Sequence, residues 1–105
     1  MTVDTKASEQ VDAQLKALAD PTRRRIVELL RRKGGCSCEL VALADPGLCL
    51  CDLESELELS QPTITHHVQA LREAGLVRTQ KIGRWLYCRR EEEALDRLSE
   101  WLRKL

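Results

Sequence analysis

The sequence predicts a mainly α fold with one small β-hairpin, organised around a helix-turn-helix. Three observations predict it. Apolar residues recur at helical spacing in several separate stretches. A short helical stretch over about 51–58 is followed at once by Ser60 and Pro62, which suit the start of a second helix. Two β-rich runs, 76–82 and 85–90, meet at Gly83.

The elements follow in order. Residues 1–8 read as a flexible polar arm, and 9–105 as one domain. Val11, Leu15 and Leu18 mark an amphipathic helix over about 9–19. Asp20-Pro21 opens the next helix: Asp caps it, and the missing N–H of Pro costs nothing in a first turn. Ile26, Val27, Leu29 and Leu30 form its apolar face, and Gly34-Gly35 ends it. The stretch 35–48 is irregular, with one possible helical turn over 39–44. In the helix opened by Ser60, Ile64, Val68 and Leu71 are the buried stripe and Gly75 is the stop. The hairpin carries Lys81 and Arg84 near its tip. A last helix over 91–105 starts with three glutamates, which suit the positive end of its dipole. Its apolar face is Leu95, Leu98, Trp101, Leu102 and Leu105.

Composition narrows the function. A chain of 105 residues with no Phe and only Trp85, Tyr87 and Trp101 as aromatics has a thin aliphatic core. Pairing of two copies is the natural way to add burial. Seventeen basic and seventeen acidic residues give zero net charge, but they are segregated. Residues 23–33 hold six basic and one acidic side chain, 39–58 six acidic and none basic, and 72–90 six basic and one acidic. That pattern is compatible with nucleic-acid binding and also with ordinary solvated surface. No apolar run approaches the ~20 residues that span a bilayer, and no signal peptide is visible. The expected setting is therefore the cytoplasm, where the five cysteines stay reduced and serve metal binding, redox chemistry or burial.

Four of those cysteines form two C-x-C pairs, Cys36 with Cys38 and Cys49 with Cys51. On a regular helix such a pair diverges by about 200°, whereas on extended backbone both thiols face the same way. Cys49 and Cys51 follow Pro46-Gly47, and Cys36 and Cys38 follow Gly34-Gly35, so both pairs are expected on extended chain. Together they can close on one thiophilic ion. As(III) or Sb(III) takes three sulfurs in a pyramid with no net charge, while four thiolates on Cd(II), Pb(II) or Zn(II) leave a charge of about −2 beside an acidic segment. Charge favours the trivalent metalloid and leaves the divalent ions as alternatives. Cys88 stands alone on a strand and is expected to pack, although it also competes as a third ligand.

With Ile64 at the centre of the buried stripe, His66 and Gln69 lie on the opposite helix face, flanked by Thr63 and Thr65. Ser60 and Gln61 stand at the helix N-terminus, where N–H groups suit phosphate. These side chains hydrogen-bond base edges or phosphate oxygens, and Lys81 and Arg84 suit the backbone of double-stranded DNA. His67, about 60° from the apolar centre, reads as a packed structural histidine.

Several runs resemble the ArsR/SmtB metalloregulatory repressors: residues 15–23 (LKALADPTR), 48–53 (LCLCDL), 59–68 (LSQPTITHHV), 71–77 (LREAGLV) and 83–87 (GRWLY). The resemblance implies a winged helix-turn-helix homodimer with its terminal helices at the interface. It further implies an apo form that represses a resistance operon by binding operator DNA. The chain departs from the family in three respects. Its 35–46 connection is longer and brings Cys36 and Cys38. Glu54 stands where some arsenite sensors carry a third cysteine. The last helix has no histidine for the family's zinc site. A thiol oxidoreductase, the enzymatic alternative, would need a low-pKa cysteine in C-x-x-C, which neither pair provides. No catalytic residue is therefore expected. A permanent structural zinc is the third reading, and its removal would unfold the domain.

Overall fold

The computed structural model describes residues 5–31 and 47–105. In chain order these form helix α1 (Thr5–Leu18), helix α2 (Pro21–Arg31), strand β1 (Leu48–Cys49), helix α3 (Leu50–Leu57), helix α4 (Gln61–Glu73), strands β2 (Val77–Ile82) and β3 (Trp85–Arg90), and helix α5 (Glu92–Arg103). The expected helix-turn-helix and hairpin are present. The one-turn helix considered over 39–44 and the glycine stop at 34–35 lie outside the described residues.

α1 begins before the expected 9, because residues 5–8, read as part of a polar arm, contain no Gly or Pro to stop a helix. Its inward line is Val11, Gln14 and Ala17, while Leu15 is largely exposed. Asp20 caps α2 as expected: its Oδ1 accepts the N–H of Thr22 at 2.7 Å and of Arg23 at 3.2 Å. α4 closes in a Schellman turn. Gly75 N–H donates to the Arg72 carbonyl at 2.9 Å and Leu76 N–H to that of Leu71 at 3.0 Å. Gly75 takes φ +78°, the left-handed geometry that this motif requires. Ser60 holds the N-cap position but not the expected capping bond. Its hydroxyl lies 2.9 Å from that of Thr63, so the first-turn N–H groups of α4 have no side-chain cap.

The sheet has a third strand that the sequence did not announce. Its order is β1-β3-β2, antiparallel throughout. Gly47 makes the short strand possible. It has φ +98°, and a Cβ there would overlap the Cys88 carbonyl, so only glycine lets the chain approach β3 this closely. Ile26, Leu53, Ile64, Leu71 and Leu76 are completely buried and join α2, α3, α4 and the sheet in one core. At ~1.5–3 kcal/mol for each such side chain, this cluster fixes where α4 lies against the rest.

Candidate functional site

The thiol pair sits at the junction of β1 and α3. Cys49 is extended (φ −68°, ψ 148°) and immediately precedes the helix, whereas Leu50 and Cys51 are already helical. The expectation of a fully extended pair is thus half met: burial of Leu50 draws the chain into α3 one residue before Cys51. The sulfurs nonetheless converge, with Cys51 Sγ 2.9 Å from Cys49 Sγ. Two thiolates at about 2.3 Å from a shared tetrahedral ion stand about 3.8 Å apart, so a small opening admits one. Cys49 is only 2% exposed and Cys51 is more open, which gives the pair a single accessible side. Cys36 and Cys38 lie outside the described residues. Among those described, no cluster of three or more His, Cys, Asp or Glu side chains is placed to hold a metal.

Register decides the position of Cys88. Leu48 pairs with Cys88, and Cys49 with Tyr87. Directly paired residues point to the same side of a sheet and successive ones to opposite sides. Cys49 and Cys88 therefore face opposite sides. Cys88 is completely buried in the aliphatic core, and desolvation pushes its thiol pKa up to about 12. Full burial and a raised pKa are what the packing role expected of it would produce.

α3 and α4 meet through a tight turn in which Glu58 takes a left-handed conformation (φ 54°, ψ 41°). Ile64, Val68 and Leu71 are buried, which turns Gln61, Thr65, His66 and Gln69 outward with Ser60 at the exposed N-terminus; Thr63 is half-buried. Gln61, Pro62, Thr65, His66 and Gln69 line a shallow concavity on that outer face. A second, open cavity of about 200 Å³ lies beside the contact of α4 with the sheet and is bounded by Leu50, Gln69, Arg72 and Thr79 among others. Arg72 was missed in the sequence, although its spacing from Thr65 and Gln69 by seven and three residues places it on their face. Lys81 and Arg84 are exposed at the far end of the hairpin, with the Arg84 guanidinium 5.1 Å from the centre of the Trp85 ring.

His67 is half-buried and accepts a hydrogen bond at Nδ1 from Arg23 Nε, 3.1 Å away. This agrees with a structural rather than a metal-binding histidine. Its Arg23 partner was not foreseen, since 44 residues separate the two and no local pattern links them. Below Arg23 lies Asp20. Desolvation opposes its charge, but the N–H groups of Arg23 and Thr22, and more weakly the charge of Arg23, outweigh that effect. The carboxyl is held below its usual range.

Comparison with known proteins agrees with this layout. Residues 40–79 match the model of a family described as bacterial regulatory protein, arsR family. An arsenic resistance transcriptional regulator of Pseudomonas putida is 37% identical over 98 residues, which cover 83% of this chain and 67% of that protein. The crystal structure of an ArsR family transcriptional regulator superimposes with a TM-score of 0.72 at 28% identity, covering 92% of this chain and 87% of the other. A homodimeric winged helix-turn-helix DNA-binding domain from Mycobacterium bovis gives 0.69 at 26% identity, covering 97% and 84%. The chain belongs to the ArsR family of bacterial transcriptional regulators and has their winged helix-turn-helix fold, with β2 and β3 as the wing.

Proposed function

We propose that this protein is a transcriptional repressor that binds operator DNA as a homodimer in the cytoplasm and lets go when As(III) or Sb(III) binds its cysteine thiolates. Cys49 and Cys51 supply two sulfurs, and Cys36 or Cys38 supplies at least one more. The observation that carries the reading is the convergence of the Cys49 and Cys51 sulfurs at the first turn of α3, the helix that abuts α4. Ser60, Gln61, Thr63, Thr65, His66 and Gln69 meet the major groove, and Lys81 and Arg84 meet phosphates beside it. An ion that draws the 36/38 segment onto Cys49 and Cys51 shifts α3, and with it the angle of α4. It can release DNA only by binding the DNA-incompetent shape more tightly, with a typical coupling of ~1–3 kcal/mol. The arsenic resistance regulator that it resembles supports the metalloid.

The test is a titration of the DNA-bound protein with arsenite, antimonite, Cd(II), Pb(II) and Zn(II). Release by the trivalent ions at the lowest concentrations is expected. Release by a divalent ion alone would reassign the inducer, and release by none would contradict thiol sensing.

A further inference from the structure

α4 is held against the core by Ile64, Val68 and Leu71, all aliphatic. Their packing fixes where α4 lies, but the hydrophobic term is non-directional, and a directional polar contact adds a finer constraint on rotation about the helix axis. That rotation matters. With side chains a helix is about 10–12 Å across, so a turn of about 10° moves the outer tips of Gln69 and His66 by about 1 Å. A hydrogen bond to a base edge tolerates only about half of that.

Among the described residues, a directional side-chain contact from outside acts on the middle of α4, through His67. Arg23 Nε donates to His67 Nδ1 at 3.1 Å. The other end of Arg23 is anchored as well, because its backbone N–H donates to Asp20 Oδ1 at 3.2 Å at the start of α2. Carboxylate, arginine and imidazole thus form a chain from the α1–α2 connection to the residue next to outward-facing His66. An imidazole that accepts at Nδ1 carries its proton on Nε2, so the contact also selects one tautomer.

We propose that Arg23 and His67 are positioning residues for DNA discrimination, which set the rotation of α4 without touching a base. This rests on the DNA-binding reading above. The experiment uses the full chain, a duplex selected by the wild-type protein from a random library, and a scrambled duplex of equal length. Affinities are measured for wild type, Arg23→Met, His67→Leu, the Arg23→Met/His67→Leu double variant and His67→Asn. Thermal unfolding is followed for each.

Arg23→Met and His67→Leu are each expected to reduce the selected-to-scrambled affinity ratio by about tenfold, the scale of one charge-assisted hydrogen bond. The double variant should lose no more than either single one. His67→Asn, whose amide oxygen replaces Nδ1 as acceptor, should recover most of the ratio. If Arg23→Met does not fold, His67→Leu with its Asn rescue carries the test alone. Nitrogen chemical shifts of His67 should report the Nε2–H tautomer in wild type without DNA.

Equal loss of affinity for both duplexes on Arg23→Met, additive with His67→Leu, would mean that Arg23 grips phosphate directly and would overturn the proposal. An unchanged ratio in both single variants would overturn it as well, while leaving the DNA-binding reading intact. Failure of the wild-type protein to bind any duplex would instead overturn that reading, and the proposal with it.

Discussion

Asp20 caps α2 with one oxygen shared by two N–H groups, and these bonds exist in full only while the carboxylate is charged. Its pKa is lowered in the folded protein, so the charged cap stabilises the fold above the pKa of the unfolded chain. That contribution is lost as pH falls through the lower, folded value. Asp20→Ala should therefore melt at a lower temperature than wild type at neutral pH. The gap should narrow as pH drops below the ordinary carboxylate range, a trend measurable by circular dichroism in a pH series. A gap that stays constant would remove the charge from the explanation. Cys88 and Cys49 show the same dependence on surroundings in another form. Each is a buried thiol at the β1–β3 pairing, yet they face opposite sides of the sheet, one into hydrocarbon and one toward a second sulfur. The sequence distinguishes them by pattern, a lone cysteine against a pair. It could not supply the strand register that makes the separation geometric.

The turn between α3 and α4 carries an unusual feature. Glu58 adopts a left-handed conformation that a β-carbon disfavours by about 1–2 kcal/mol, and its N–H still donates to the Glu54 carbonyl at 2.8 Å. Glu58→Gly should relieve that cost, less the extra entropy of a glycine in the unfolded chain, and raise stability by about 0.5–1 kcal/mol. Equilibrium urea unfolding reads this directly, and a destabilised variant would show that the Glu58 side chain holds the turn. Helices α2, α4 and α5 and the hairpin were legible because their caps, breakers and apolar periods agree. β1 was not, because two residues are too few to show a period. Its existence rests on Gly47 fitting against β3, a contact about 40 residues away in sequence. The uncapped N-terminus of α4 was hidden for a related reason: Ser60 has the right identity, but the hydroxyl of Thr63 competes for it.

At the scale of the whole molecule, apolar surface is left over on the terminal helices. Trp101 is 39% exposed, Leu102 47% and Leu105 83%, and Leu15 on α1 is exposed as well. A chain with so thin a core gains by covering them, and the Mycobacterium bovis domain of like fold is homodimeric. A dimer through α1 and α5 would set two α4 helices about 34 Å apart, one turn of DNA, on an imperfect palindrome. Leu102→Glu should convert the dimer into a folded monomer in sedimentation, with a large loss of DNA affinity. A variant still dimeric at micromolar concentration would place the interface elsewhere.

If the thiols at the β1–α3 junction govern the hold on DNA, arsenite must act on the DNA complex through Cys49. A fluorescent duplex bound to the protein is titrated with arsenite while its anisotropy is followed, for wild type, Cys49→Ser and Cys88→Ser. Wild type and Cys88→Ser should release the duplex, whereas Cys49→Ser should bind it equally well and retain it. Release of Cys49→Ser at the same arsenite concentration as wild type would contradict the account.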